Sequence, residues 1–421
     1  PHRWNDALQA WSTDELTVRS WKHAAPVVAN MPEAHFIDAL HAIAWWVGRV
    51  SKNVEEHEEH FFGLIDRIIE IGSTTVDASD DISLIRAINH PVGHAASSLL
   101  NWWLSTELKD DQGLPDELKD RFAKMCNADN QPLWIGTVVL AQQIIPLLRV
   151  DQGWTKQYLV PAFEWDEDVK KAAAVWGSFL HAPRIYLPLL EILKSPFLAV
   201  PDHIGVLDKQ CLQQYARFLT YIALGEASVI SSTELKDVFS KLPAEYLETV
   251  AQTLFQALQG AGGQQTEYLK NRIIPFVNKF WPSKPEARTP ETFRYFAEMS
   301  AISGDGFDSA FTCFKYHLGQ TDHFGYLLKL LIDGGAATDH PTEVLYILNA
   351  TIPPHVQYLH NDLKPLLDAI QEANSALLVS PKFVRLSILS QQRLPAKAAV
   401  RSARSESPLS ALGAFHCRCN I

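Results

Sequence analysis

Helical periodicity through almost every ordered stretch is the feature that most restricts how this chain can fold. Between residues 33 and 50, Phe36, Ile37, Leu40, Ile43, Ala44 and Val47 recur at steps of three and four. That spacing predicts a helix with all six side chains on one face, and such a face must be buried. The same period runs through 61–71, 133–148, 169–180, 207–224, 246–258, 293–302, 324–332 and 363–370. Alternation sustained over a strand length is hard to find, so the predicted fold class is all-α. Helix starts are expected at Thr13-Asp14-Glu15, Asp80-Asp81, Ser231-Ser232-Thr233-Glu234 and Thr289-Pro290-Glu291, where N-cap side chains precede early acids.

Apolar-Pro-apolar triplets recur inside the helical text at Pro146, Pro188, Pro275 and Pro365, at intervals of 42, 87 and 90 residues. These are close to one, two and two units of a helix-pair repeat of about 40 to 47 residues. A proline kink suits the bent first helix of such a pair. The expectation is a HEAT/armadillo-like α-solenoid, with a globular multi-helix bundle as the alternative; Pro161 lies off the grid. Prolines at 196 and 201 make 195–208 the expected internal boundary. The predicted division is therefore a Trp-rich helical subdomain at 1–195, a helical-repeat subdomain at 209–392, and a tail at 393–421.

Lys and Arg number 37 and Asp and Glu 48, a net charge of -11. The tail holds Arg393, Lys397, Arg401, Arg404 and Arg418 against Glu406 alone, which leaves the body with 32 bases, 47 acids and a charge of -15. The tail is expected to be disordered or foreign to the native chain, and a basic interaction arm is the other reading. A body this acidic repels phosphate backbones and argues against nucleic acid as partner. Five scattered cysteines without a Cys-x-x-Cys argue for a reducing compartment, hence the cytoplasm. No apolar run approaches the ~18 to 20 residues of a membrane span. The sequence opens at Pro1 rather than Met, and the expectation is a piece of a longer protein with chemistry upstream.

Candidate chemistry is sparse. Glu55-Glu56-His57-Glu58-Glu59-His60 is the densest group of metal-ligand types, but it lacks His-Glu-x-x-His and the Glu-x-x-His spacing of di-iron bundles. It reads as a solvated acidic helix start. In Asn89-His90-Pro91-Val92-Gly93-His94, Asn89 or His90 can cap a helix that begins at Pro91, and His90 and His94 are candidate interaction residues. Asp339-His340-Pro341-Thr342 repeats that capping pattern. Gly260-Ala261-Gly262-Gly263 follows a helical run rather than a strand and reads as a helix stop. Asp305 and Asp308, beside Gly306, suit either a turn or a hydrolytic cleft. No P-loop, Gly-x-Ser-x-Gly or zinc-type cysteine spacing is present, so no catalytic residue, metal or cofactor is assigned.

Eleven of twelve tryptophans lie between Trp4 and Trp176. The pairs Trp45-Trp46 and Trp102-Trp103 are informative because adjacent helix residues point about 100° apart. One ring of each pair is a candidate for an inter-helix seam or a partner surface.

Residues 89–103, 154–166 (Trp-Thr-Lys-Gln-Tyr-Leu-Val-Pro-Ala-Phe-Glu-Trp-Asp) and 271–292 resemble the helical C-terminal region attached to sirtuin-like domains in bacterial anti-phage defence proteins. The resemblance would cover most of residues 80–390. It implies a region that senses phage components and governs assembly of an NAD-consuming effector. The chain departs from a complete member in having no dinucleotide-binding βαβ fingerprint and no sirtuin catalytic segment, so by itself it should not hydrolyse NAD. The expected function is thus a non-catalytic interaction region that binds an effector domain or a phage protein, with oligomerisation open. A general α-solenoid scaffold is the runner-up, and a helical-repeat nucleic-acid glycosylase the minor alternative.

Overall fold

The structure, a computed structural model, describes residues 2–74, 82–181, 184–225, 229–356 and 360–391. Every regular element among them is helical, so the fold is all-α. The helix start expected at Asp80-Asp81 and the basic tail at 393–421 lie outside the described residues. Two compact units divide the chain, Pro1–Val250 and Ala251–Ile421. The division falls within the helix Ala244–Gly260, whereas 195–208, expected as the boundary, lies inside the first unit. There Pro196, Phe197, Val200 and Pro201 are buried on the short helix Lys194–Leu198 and the turns of Val200–Val206. These prolines lie in a connection that is itself buried.

In the first unit the helix Gln131–Ala141 is buried at every position from Trp134 to Ala141. A helix that is apolar all round has no solvent face and must be central. It packs against Glu58–Thr74, Leu84–Asn89, Pro91–Leu104, Asp116–Cys126 and Val169–His181. The Asn130 side chain caps it, accepting from the Leu133 N–H at 3.2 Å. Periodicity predicts one helix over 133–148, but the structure has two, Gln131–Ala141 and Ile144–Val150, bent by 80° at Gln142-Gln143. Likewise 33–50 is two helices, Glu33–Asp38 and Leu40–Val50, parted at Ala39, and Ile37 is 47% exposed instead of joining the buried face. The helix start expected at Ser231 forms, and as a capping box: its Oγ accepts from the Glu234 N–H, and the Glu234 carboxylate accepts from the Ser231 N–H at 2.8 Å. Thr13 precedes its helix without a side-chain cap bond.

The second unit is organised around Pro290–Ala301, buried at Thr292 and from Tyr295 to Ala301. Thr289 and Thr292 cap each other reciprocally, with Pro290 in the first turn, where no intrahelical N–H is lost. Phe307–Phe314, Gly325–Asp333 and Pro341–Thr351 pack against it. At the C-terminal end of Pro341–Thr351, Arg385 donates to the carbonyls of Asn349 and Ile352 at 3.0 and 3.2 Å. A cation there satisfies carbonyls the helix leaves free and opposes the negative end of its dipole. Gly262, at φ +52°, follows the end of Ala244–Gly260, so the glycine run is a helix stop.

The recurrent prolines behave differently from the expected kinks. Pro146, Pro188 and Pro365 sit in the first turns of Ile144–Val150, Leu187–Ile192 and Leu363–Ala373. A proline there removes no intrahelical hydrogen bond. Pro275 alone among the four follows directly on helical residues, and the turn before it, Leu269–Ile273, is widened to π geometry. That widening gives the ring the room an α-turn would deny it.

Two glycines test the packing of the first unit. A Cβ on Gly93 would lie 1.7 Å from the Ala87 carbonyl oxygen, a backbone atom that cannot step aside. One on Gly136 would meet Met125 Sδ at 2.4 Å, on a side chain with rotamers to spare. Gly93→Ala should lower stability by about 3 kcal/mol and Gly136→Ala by about 1 kcal/mol, measured by urea denaturation.

Candidate functional site

The six residues that the sequence singles out come together on one helix pair. Leu40–Val50 carries Trp45 and Trp46, while Pro91–Leu104 carries His94, Trp102 and Trp103 and has His90 as its cap. The two helices pack directly on each other.

The helical twist divides each tryptophan pair. Trp46 and Trp103 are buried, whereas Trp45 is 37% exposed and Trp102 half-buried. Trp46 meets Trp21 with ring centroids 5.8 Å apart, and Trp21 meets Phe61 edge-on at 5.6 Å. The Trp21 Nε1–H donates to the Val50 carbonyl at 2.9 Å, tying this ring to the end of the Trp45 helix. Trp102 reaches the same Phe61 at 6.2 Å and lies edge-on to Phe62 at 5.1 Å. A run of rings, Trp46, Trp21, Phe61 and Trp102, therefore links the two pairs. Arg121 covers Phe62 at 4.8 Å and grips both Asp66 oxygens at 2.7 and 2.6 Å. This fork holds the aromatic edge beside Trp102 in place.

The buried indoles carry a cost. Nε1 of Trp46 and of Trp103 is buried without a hydrogen-bond acceptor, worth about 1–3 kcal/mol each against stability. Nε1 of Trp154 is in the same position, whereas Trp165 Nε1–H donates to Pro196 at 2.8 Å and Trp176 Nε1–H to Phe163 at 3.0 Å. Trp165 also stacks on His203, 4.2 Å away, so the stretch 154–166 contributes a core edge.

The histidines serve the corner between two helices. His90 is buried, and its Nδ1 accepts from the Val92 N–H at 3.2 Å, capping Pro91–Leu104. Gly93 lets Leu84–Asn89 cross at contact distance. His94 is half-buried, and burial, then the nearby His41, hold its imidazole below the usual range. It is neutral at neutral pH.

The acidic group at Glu55–His57 and the start of Glu58–Thr74 forms turns and a helix beginning, with the His57 and His60 rings 6.4 Å apart. Among the described residues no group of three or more His, Cys, Asp or Glu is placed to hold a metal. Burial pushes the thiols of Cys126 and Cys211 up to about 12, with Asp208 adding to the effect at Cys211, and that of Cys313 to about 11. All three are protonated at neutral pH. A shallow apolar recess with room for little more than one water is lined by Trp176, Phe179, Phe197 and Phe218, with Arg184 and Tyr186 as its polar members. Among the described residues that line it there is no carboxylate, imidazole or thiol.

In the second unit, His340 does not cap through its side chain as the sequence pattern suggests. Its ring stacks on Phe307 at 4.5 Å, and its Nδ1 lies 3.0 Å from Asp308. Asp308 thus lies against His340 at a helix corner, 79% exposed. The sequence reading passes over Glu298, which sits 1% exposed on Pro290–Ala301 one turn after Arg294. Burial pushes it up to about 7, with Arg294 opposing and Glu291 adding. The signal that could have found it is Glu-x-x-Arg-x-x-x-Glu, an acid recurring on the apolar face of a predicted helix.

No protein-family model and no curated protein matches the chain. Among solved structures, the crystal structure of an engineered protein aligns with 92% of this chain and 99% of its own, at 13% identity and a TM-score of 0.30. A likeness at that level carries no argument about fold or function.

The division of the tryptophan pairs sets an expected contrast. Trp46→Ala should destabilise the protein by about 3–5 kcal/mol through the cavity it leaves, and Trp45→Ala by less than about 1 kcal/mol. Chemical denaturation of the two variants side by side checks this.

Proposed function

We propose that the chain is a non-catalytic, helix-pair-repeat interaction region of the HEAT/armadillo type that regulates an NAD-consuming, sirtuin-like effector in bacterial anti-phage defence, acting in the cytoplasm. The observation that carries the binding part is Trp45: a 37% exposed indole on a helix whose next residue, Trp46, is fully buried. Such a ring is presented on a rigid support and loses little conformational freedom when a partner covers it. Trp102, Phe62 and the Arg121–Asp66 fork add the aromatic and arginine character typical of protein contact surfaces. The defence assignment draws on the resemblance of residues 89–103, 154–166 and 271–292 to the helical region of those proteins. The first two of these stretches belong to the first unit and the third to the second.

In this reading the effector or a phage protein lays an apolar patch over Trp45 and Trp102, and the reaction belongs to the effector. The full chain immobilised on a resin should retain a sirtuin-like effector supplied in trans. Trp45→Ala and Trp102→Ala should each weaken that retention roughly tenfold or more. Unchanged retention in both variants would remove the proposed surface. Retention of other proteins through the same tryptophans, with no effector bound, would leave a general scaffold, and NAD hydrolysis by the purified chain alone would contradict a non-catalytic role.

A further inference from the structure

Glu298 is a buried acid without a settled partner. Its Oε1 has no hydrogen-bond partner, and Nη1 of Arg294 stops 4.0 Å away. Arg294 is committed elsewhere: its Nη2 lies 2.7 Å from Glu291 Oε2, and its Nε has no acceptor. One guanidinium therefore stands between two carboxylates, at i-3 and i+4 on the same helix, and bonds only one of them. The outer carboxylate, Glu291, is 32% exposed and lies 3.8 Å from Nε2 of His323, which is itself 72% exposed.

We propose that Glu298 takes up and releases a proton as Arg294 moves between Glu291 and Glu298, so that a buried carboxylate sets which ion pairs the second unit displays at its surface. With Glu298 neutral, Arg294 stays on Glu291, as in the structure. With Glu298 ionised, an unpaired buried charge is costly, and Arg294 is the cation within reach. Glu291 then keeps only its approach to His323.

The groups around Glu298 support this exchange. Burial holds its carboxyl near neutrality, and the charges acting on it are those of Arg294, which favours ionisation, and Glu291, which opposes it. Tyr295 is hydrogen-bonded to Gln252 and packs on Phe255, which also meets Tyr326. From the packed elements, His317 stacks on Phe296 at 4.9 Å, and burial keeps its imidazole low. Asp308 is turned to His340, Lys315 to Tyr316, and Tyr346 to Phe311 and Lys382. Lys329 and Asp333 face solvent, and Glu343 is half-buried.

The direction of the pH dependence follows. Between the ordinary carboxylate value and about 7, the folded chain holds a proton that the unfolded chain has lost. Stability from this group therefore falls as pH rises through that window and levels off above it. Carbon-detected NMR of the full chain labelled at glutamate carboxyls should show one resonance with a midpoint of about 7, absent in Glu298→Gln. In Glu291→Gln the same resonance should titrate roughly one pH unit lower, because Arg294 is released and a like charge removed. Melting temperature should fall from pH 5 to 8 more steeply in the wild type than in Glu298→Gln. Glutamates that all titrate below about pH 5.5 would overturn the proposal. So would a high midpoint that Glu291→Gln leaves in place, since an acid raised by burial alone would not feel the exchange. Glu291 is partly exposed, so this second variant carries the test even if Glu298→Gln does not fold.

Discussion

Eight consecutive buried residues, from Trp134 to Ala141, leave the central helix of the first unit with no face toward water. The helices around it exist in their present form because each covers part of that surface. Most are short, and short isolated helices are marginal in water, so their stability comes from packing an apolar face against a neighbour. The glycines and corners of this unit follow from the same demand. Gly93 permits the crossing at Ala87, where a side chain would meet backbone, and Gly136 faces Met125, where it would meet a side chain that can shift.

The same demand explains where polar groups are left unsatisfied. The indoles of Trp46 and Trp103 are large enough that burying the rings outweighs the loss of an acceptor for each N–H. They are fixed points of the core, and their sequence neighbours Trp45 and Trp102 are carried outward by the helical twist. Glu298 is a different case, because a carboxylate can discharge the cost of burial by holding a proton whereas an indole cannot. The first unit therefore presents its unusual side chains as a fixed surface, and the second holds one whose charge state is adjustable.

Much of this was legible along the chain. The periods at 61–71, 169–180 and 246–258 each fall within one helix, that at 293–302 runs to the C-cap of Pro290–Ala301, and the capping boxes at Ser231 and Thr289 form where hydroxyl, acid and proline signals place them. The misread stretches share a cause. At Ala39 and at Gln142-Gln143 the apolar period continues through a break, because both sides of the break face apolar neighbours. A period of three and four reports which residues want burial, not whether the axis bends between them. The prolines at 146, 188 and 365 were legible as punctuation but not as helix starts, since kink and first turn call for the same residue. At the candidate site, the sequence could say that one ring of each tryptophan pair must turn away from its neighbour. It could not say which.

Sequence alone determined that the chain is helical and which residue types its helix ends use, because helical period and capping are set by near neighbours along the backbone. Tertiary structure decided that the first unit runs past residues 195–208, that Trp45 rather than Trp46 meets solvent, and that Glu298 is enclosed one turn from an arginine bonded elsewhere. Those outcomes depend on which helix covers which face, a matter of contacts between residues far apart in the chain.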